Sequence, residues 1–572
     1  GTAGRAAAGP LAVTILAAAL VATGETLGWR GVDLPAQLHR VQMFRAHGFA
    51  LWDDRWYGGH WALGYSVIFP ALAAVAGVAS VAVVSAAVAS LAFDRLAVPH
   101  FGSAGRGAAV AFAVGTVVQS SIGQLPFLAG EALGLCACWA ASRNRWVTAA
   151  ALGAACSLVS PLPGAFLMVA MAGWALAQLV PRADLTQLAH LAPLAHRAPL
   201  TRSADRSRRA QAARAGSVIA AAGVPIGAAA ILFPGPGPMP YPVIDYAWEM
   251  AIAAGLWLAA GASQRAVRAG LLVWAAAATF AVAVPSPLGG NVGRVEDVLA
   301  LPLAVAFLWR RRRLLLGLAA VPLVLSQWSP AWGAIATNAA QPSTHRAYFA
   351  PLVSALLRVS AGGPAGRVEV VPTRYHWESL YVAQVMPLAR GWERQLDEAD
   401  NPVFYGGARA LDAASYRSWL VGNGVRFVAL PDAPLDFSGV AEARVVRTGV
   451  PGVDLVWQSA AWSLYEVEGS GGIVGAPARL VSEDGPRLVL STPAAGPVLV
   501  RVRYTPGWRV VQGAGCVAKA PGSWIRVDAA GPGLVTLRLS LLGPGATPCG
   551  GPPRSPTAPR RPAGVVSSTA RG

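Results

Sequence analysis

Apolar runs of roughly 17–25 residues recur through the first two-thirds of the chain, the length a helix needs to cross a hydrocarbon core of ~30 Å. One soluble core cannot hide that much apolar surface. Composition agrees: 54% of the 572 residues are hydrophobic and 13% charged, against ~25% charged in ordinary soluble domains. Mean hydropathy is +0.47. The runs predict spans near 9–28, 63–93, 107–125, 126–142, 146–160, 163–181, 215–233, 246–263, 269–285, 296–310 and 314–329, about eleven in all. Pro161 and Pro163 leave open whether 146–181 is one broken helix or two. The run from Leu11 to Val21 follows Arg5 as a signal peptide would, but no small-residue cleavage site leads into a soluble domain. It is expected to stay as a first transmembrane helix.

Charge gives an independent check on the count. The net charge is +18, nearly all from Arg, and the Arg clusters fall between apolar runs. Arg5, Arg95 and Arg106, Arg143 and Arg145, the seven-Arg stretch ending at Arg214, Arg265 and Arg268, and Arg310 to Arg313 occupy every second connection. Short cytoplasmic loops carry excess Lys and Arg. The alternation therefore predicts a multi-pass protein of the cell membrane, with its N-terminus cytoplasmic and its C-terminal domain extracytoplasmic. This placement of base argues against nucleic acid as a partner, and the lack of a GxxxxGK[ST] loop argues against ATP-driven transport by this chain alone.

Beyond about residue 341 the pattern changes to short alternating runs, such as Phe427–Leu430 and Leu499–Tyr504, divided by Gly and Pro turns. A helical stretch is expected at 409–423. The predicted architecture is an all-α polytopic membrane domain (1–335), an extracytoplasmic α+β domain (341–470), a β-rich subdomain (471–542) and a disordered tail rich in Pro, Arg, Ser and Gly (543–572). Cys136, Cys138 and Cys156 lie in apolar runs, while Cys516 and Cys549 lie in the C-terminal part. An extracytoplasmic setting would permit those two to pair, but the sequence does not give their separation.

The first long connection, roughly 29–62, is too rich for a plain linker. It holds Asp33, His39, Arg40, Arg45, His47, Asp53, Asp54, Arg55 and His60, with Trp52, Trp56, Tyr57 and Trp61. Leu34–Ala46 has helical spacing suited to an interfacial helix, and Trp56-Tyr57-Gly58-Gly59 suits a tight turn. The aromatics also fit simple anchoring at a membrane interface. Asp33, just beyond a membrane helix, fits general-base work on a bound hydroxyl. The pair Asp53-Asp54 reads equally as a helix cap.

The pattern Asp33…His39-Arg40…Gly48…Leu51-Trp52-Asp53…Trp56-Tyr57-Gly58-Gly59…Gly64-Tyr65…Phe69-Pro70, in a long first outer loop ahead of many spans, resembles the GT-C class of polytopic membrane glycosyltransferases, and within it an actinobacterial branch of membrane proteins. The resemblance covers the membrane part as architecture, with motif support in the first loop alone. It implies a polyprenyl-phosphate-type lipid-linked sugar donor and an inverting transfer to an envelope glycan, lipid or protein acceptor. It also implies that Asp33 is the catalytic acid of the loop. The best-known members have two adjacent acids, whereas Leu34 follows Asp33 here. A divalent metal therefore stays an open option, and no other cofactor is implied.

Further polar groups complete the candidate site. His39, Arg40, Asp53, Asp54, Trp56, Tyr57, His60, Arg294, Glu296, His376 and Glu378 are expected to bind substrate. Arg294 or Arg40 suits a lipid phosphate, because a guanidinium meets phosphate through paired hydrogen bonds. The runs Arg374–Glu378 and Arg390–Arg394 mix aromatic and charged residues, as carbohydrate contacts do, and they equally suit a domain surface packed on the first loop. Asp245 and Glu249, one turn apart, and Arg294, Glu296 and Asp297 also suit local charge pairing at helix starts. Glu131, inside a span, suits a cavity or partner. Two other functions compete: a transporter or flippase for lipid-linked sugar or polymer, and a non-catalytic envelope-assembly protein. Acids gathered at the helix ends favour surface chemistry over transport.

Overall fold

A computed structural model describes residues 2–180, 202–235, 237–310, 312–336, 340–407, 411–541 and 549; the tail expected at 543–572 lies, Cys549 apart, outside them. The chain divides into two compact units, one of residues 1–473 with 484–486, the other of 474–483 with 487–572.

The first unit opens with helices α1 (Thr2–Thr26), α2 (Leu34–His47), α3 (Phe69–Ala76), α4 (Val78–Phe101), α5 (Ser103–Ile122), α6 (Leu125–Ser142), α7 (Trp146–Val159) and α8 (Pro161–Leu179). It continues with α9 (Arg202–Leu232), α10 (Val243–Ala259), α11 (Arg265–Ala283), α12 (Arg294–Leu308) and α13 (Arg313–Ala336). Among the described residues seven helices are long and apolar enough to cross a membrane: α1, α4, α6, α8, α9, α11 and α13. The predicted spans at 107–125, 146–160, 246–263 and 296–310 also form helices, α5, α7, α10 and α12, which fall outside that set. Three of these are simply short, at 14, 17 and 15 residues for α7, α10 and α12. The fourth, α5, is 20 residues long, but Arg106 and the polar run Gln119-Ser120-Ser121 lower its hydropathy.

Two boundaries differ from the sequence reading or settle it. The span expected at 63–93 begins at Val78, because Gly77, at φ +87°, ends the short α3 and starts α4; apolar composition does not register such a break. Between 146 and 181 there are two helices, divided by an extended Ser160 (φ −157°, ψ 123°) with Pro161 opening the second, the helix position where a missing N–H costs nothing.

After α13 the same unit builds an α+β module. Its sheet has the order β3-β4-β6-β5, from β3 (Arg367–Val370), β4 (Val425–Pro431), β5 (Val453–Gln458) and β6 (Trp462–Val467). The β3–β4 pair is parallel and the others antiparallel. Helices α14 (Arg346–Val359), α15 (Glu378–Tyr381), α16 (Arg394–Asp400), α17 (Ala413–Gly422) and α18 (Phe437–Thr448) surround it. Asp412 caps α17 through a reciprocal box with Ser415. The first loop supplies β1 (Trp52–Asp53) and β2 (His60–Trp61), an antiparallel pair. Its Ala36, Trp56 and Tyr57 share one core with Phe349, Leu352, Val368, Trp377, Phe427 and Trp462 of the module. The loop is thus built into the module.

The second unit is all β. Strands β7 (Arg479–Asp484), β8 (Arg487–Thr492), β9 (Gly496–Arg503), β10 (Trp508–Gln512), β11 (Gly515–Lys519), β12 (Trp524–Ala529) and β13 (Gly533–Leu539) form sheets of order β10-β13-β8-β7 and β11-β12-β9. Leu488, Val500, Trp508, Ile525 and Leu537 are fully buried. Cys516 and Cys549, left open by sequence, form a disulfide with Cα atoms 5.3 Å apart.

Candidate functional site

Asp33 sits where the chain leaves α1 and enters α2. Two close approaches fix it there. A Cβ on Gly31 would lie 2.2 Å from the Ile122 Cα, and one on Gly123 2.3 Å from the Leu34 nitrogen, so only glycine allows the loop to lie on the end of α5. The Asp33 N–H then donates to the Ile122 carbonyl at 2.9 Å. Asp33 holds the N-cap position of α2, yet its φ/ψ are helical and its side chain makes no cap hydrogen bond. Its carboxylate is therefore not spent on the helix and is half-buried. Burial pushes its pKa above the ordinary carboxylate value, opposed by Arg294, the Gln124 amide, Arg40 and His376. A raised carboxylate pKa moves a base towards its working pH.

Arg294 opens α12 after a tight turn at Gly289–Gly293. No salt bridge within 4 Å engages it among the described residues, and its guanidinium lies 5.8 Å over the Phe127 ring. Tyr65 completes the group: burial raises its pKa, Asp33 raises it further, and Arg294 and Arg40 oppose. The Arg40 guanidinium stacks over the Tyr65 ring at 4.2 Å. Tyr65 stood in the sequence motif without a role, and Gln124 had no signal there beyond its place between two apolar runs.

The other predicted binding residues of the loop are engaged with one another or with the module. Arg40 pairs with Glu393. His39 Nε2 lies 2.7 Å from Asp53, and His60 lies 3.9 Å from Asp53 and 3.7 Å from Glu393. Trp56, fully buried, stacks on His39 at 4.3 Å and His60 at 5.8 Å, and its indole N–H donates to the Ser379 carbonyl at 3.0 Å. The Tyr57 hydroxyl accepts from the Glu393 N–H at 2.9 Å. Tyr57 takes φ +59°, followed by Gly58 at +78° and Gly59 at +104°; this is the expected tight turn, strained at the tyrosine. Asp53 caps no helix: it accepts the Arg55 N–H at 2.8 Å. Asp54 accepts the Gly485 N–H at 2.8 Å and pairs with Arg55 at 3.3 Å. These residues form a latch that holds the loop on the module.

Latch electrostatics follow from the pairing. Burial opposes ionisation of Glu393, but His60 and Arg40 outweigh it and hold the pKa at about 2. Asp53, equally buried, is held far below the usual range by His39, His60 and the Arg55 N–H. Burial disfavours the His60 imidazolium, yet Glu393 and Asp53 raise its pKa above the ordinary 6.5. Two limbs follow. The Glu393 contribution to docking is complete above its ordinary 4.5 and is lost as pH falls towards about 2. That of His60 is complete below 6.5 and is lost as pH rises through its higher folded value. Amide protection of 55–60 is accordingly expected to peak between about pH 5 and 6.5 and to fall on both sides. Hydrogen exchange against pH checks this; His60→Gln should flatten the alkaline limb, and an unchanged limb would show that His60 does not set it.

The remaining candidates divide between the site and local structure. His376, buried at φ +56°, stacks on Trp392 at 3.6 Å and lies 3.4 Å from both Glu378 and Asp436. Its charge is the last of the groups that oppose the burial-driven rise of the Asp33 pKa. Glu378 is held by the Thr373 hydroxyl at 2.6 Å. Glu296 accepts the Trp248 indole at 2.7 Å and the Ser326 hydroxyl at 3.1 Å, and Glu249 accepts the Tyr241 hydroxyl. Both carboxyl oxygens of Glu131 are buried within α6 without a hydrogen-bond partner among the described residues.

Of the two readings left open for 390–394, the side-chain contacts of Arg390 and Arg394 fit structural packing. Arg390 is buried among Asp397 (2.6 Å), Glu442 (3.2 Å) and Glu369 (3.8 Å). Arg394 forks onto Asp436 at 3.1 and 2.9 Å. For a divalent metal, the groups that act on Asp33 are two guanidinium groups, an amide and the His376 imidazole, with no second carboxylate among them. Among the described residues the one trio at ligand spacing is Cys516, Asp528 and Cys549, and the disulfide occupies both of its sulfurs. No family model and no curated protein matches this chain.

Proposed function

We propose that this chain is a membrane glycosyltransferase of GT-C-like design, moving a sugar from a polyprenyl-phosphate-type donor to an envelope acceptor on the outer face. The observation that carries the reading is a half-buried Asp33 carboxylate that caps no helix and is acted on by Arg294, which makes no salt bridge within 4 Å among the described residues. Asp33 takes the proton of an acceptor hydroxyl as its oxygen attacks the anomeric carbon. The bond from that carbon to the donor phosphate oxygen breaks on the opposite face, so the configuration inverts. The electron pair leaves with the lipid phosphate, which Arg294 holds. Arg40 is committed to Glu393, which favours Arg294 over Arg40 for that task. The direct test is transfer from a lipid-phosphate sugar by wild type and by Asp33→Asn.

This reading requires the site on the outer face, with about eleven spans, a cytoplasmic N-terminus and an extracytoplasmic module. Support comes from the alternating Arg-rich connections and from the Cys516–Cys549 disulfide, since disulfides persist in oxidising compartments. Reporter fusions placed after residue 340 are expected to give active alkaline phosphatase and dark green fluorescent protein. Bright fluorescence there would remove the outer-face site. A transporter of lipid-linked sugar is the second reading. It is favoured by Glu131, whose carboxyl is buried in α6 without a hydrogen-bond partner among the described residues, as groups on intramembrane pathways are.

A further inference from the structure

Residues 474–541 hold seven Arg, one Lys and only three acids, Glu483, Asp484 and Asp528. Strand register gathers part of that charge into a line. Arg509 of β10 stands opposite Arg538 of β13, and Arg538 stands opposite Arg487 of β8. Their chain neighbours Trp508, Leu537, Leu539 and Leu488 are buried in the core, so strand alternation turns all three arginines to the outer face of the sheet. Arg487 and Arg538 are exposed. Neighbouring strands lie about 4.8 Å apart, so the row spans roughly 10 Å across the sheet.

Such a row works against the fold, because like charges directly opposite one another destabilise a sheet. Two of the three acids are turned elsewhere: Asp528 pairs with Arg526 at 3.1 Å and Asp484 lies 3.5 Å from His47, and among the described residues neither Arg487 nor Arg538 has a carboxylate within 4 Å. The second sheet of the unit differs. There Arg526 has Asp528, and Arg503 lies 4.4 Å over the Trp524 ring and donates to the Gly522 carbonyl at 3.2 Å. The segment that follows brings no counter-charge, since 542–572 contains Arg554, Arg560, Arg561 and Arg571 and no Asp or Glu. A second copy of the chain, itself at +18, is repelled as well.

We propose that the outer face of the β10-β13-β8 sheet docks a linear anionic polymer, with a phosphate or carboxylate on each repeat, laid along the Arg487–Arg538–Arg509 row. This surface is independent of the transferase reading. Charge complementarity selects an anion, and the line selects a polymer. Guanidinium groups one strand spacing apart meet successive anionic groups of a single chain, and release of the polymer's counterions adds a drive that a single phosphate does not offer. An anionic membrane is the rival occupant. Leu534 is exposed farther along the same face, but the residues next to the row, Val489 and Thr536, are buried. No apolar group therefore stands beside Arg487 and Arg538 to enter a bilayer, as one does on membrane-surface segments.

The test uses the full chain in phosphatidylcholine nanodiscs and follows binding of fluorescent polyphosphate, with inorganic phosphate, neutral dextran and phosphatidylglycerol vesicles as separate arms. Polyphosphate is expected to bind roughly tenfold or more tighter than inorganic phosphate at equal total phosphate, and dextran is expected not to bind. Arg487→Gln and Arg538→Gln, made separately, should each weaken polyphosphate binding and lower the slope of log affinity against log salt by about 0.7–0.9. Each should melt no lower than wild type, because it removes a like-charge opposition; weaker binding then cannot come from unfolding. Replacing Arg208 and Arg209 of α9 together by Gln should leave binding unchanged. Polyphosphate no tighter than inorganic phosphate, or wild-type binding by both single variants, would overturn the proposal. A lower melting point in both would remove its like-charge argument and overturn it too. An equal loss on replacing Arg208 and Arg209 would overturn it by reducing the effect to net charge. Vesicle binding that Arg487→Gln and Arg538→Gln weaken as much as polyphosphate binding would overturn it in favour of a membrane contact.

Discussion

Replacing Arg390 by Met is expected to cost the 341–473 module about 3–5 kcal/mol, the range for removing one partner of a buried ion cluster. The guanidinium is 4% exposed. It forks onto Asp397 at 3.1 and 2.6 Å, reaches Glu442 at 3.2 Å and the Ser438 hydroxyl at 3.0 Å, and lies 4.1 Å over the Phe404 ring. Burial acts against charge on Asp397, but Arg390, Tyr405 and Asn401 keep its pKa low. Burial raises Glu442 to about 6 and Glu369 well above its usual value, so Glu369 carries the proton that lets three carboxyls share one cation. With Met in place, Asp397 has lost its counter-ion in a site closed to water. Arg390→Lys keeps the charge and loses the fork, and should fall between. The measurement is protease resistance of the module within the full chain as temperature rises. A melting profile for Arg390→Met that overlays wild type would show the cluster to be of no structural consequence.

The same cluster shows why part of the site was not legible in the sequence. Arg390, Trp392 and Arg394 stand together as sugar-binding residues often do. Asp397 is only seven residues from Arg390, but Glu369 lies on β3 and Asp436 and Glu442 lie at the start of and within α18, and no local spacing links those. The latch tells the same story at longer range. His39, Asp53 and His60 look like ligand-binding groups because the acid that completes the network, Glu393, is 353 residues from Arg40. Local features were legible. Helical spacing gave α2 (Leu34–His47), and the Trp-Tyr-Gly-Gly run gave a turn at positive φ. The alternating runs at 427–430 and 499–504 fall on β4 and β9. Span boundaries were less so: Gly77 breaks the apolar run before α4 by its backbone conformation, and hydropathy averages over it.

Asp33 joins the two levels. It stands at the N-cap position of α2, where a cap would occupy the carboxylate. The close packing of Gly31 and Gly123 sets the backbone at φ −87°, ψ −14°, outside the extended geometry a cap requires. The carboxylate is left for other work, and the anchor to α5 fixes where that work happens.

Asp33→Asn is expected to reduce sugar transfer by ~10²–10⁴, the range for loss of a positioned general base, while expression and membrane insertion stay as in wild type. The substitution keeps the size of the side chain and much of its hydrogen bonding but removes the basic oxygen. Gly31, Gly123 and the Ile122 carbonyl hold the backbone whichever side chain is present. A pure loss of base should appear in kcat with little change in KM, since the hydroxyl is still bound and only the proton has nowhere to go. Arg294→Ala should act differently. Its guanidinium would meet the donor phosphate before reaction and more strongly as charge builds on the leaving oxygen, so KM should rise together with a fall in kcat. The assay requires a lipid-linked sugar donor and both variants at matched expression. Full turnover by Asp33→Asn would rule out base catalysis by this carboxylate and shift the balance to the transporter reading, with Glu131 as the next residue to replace.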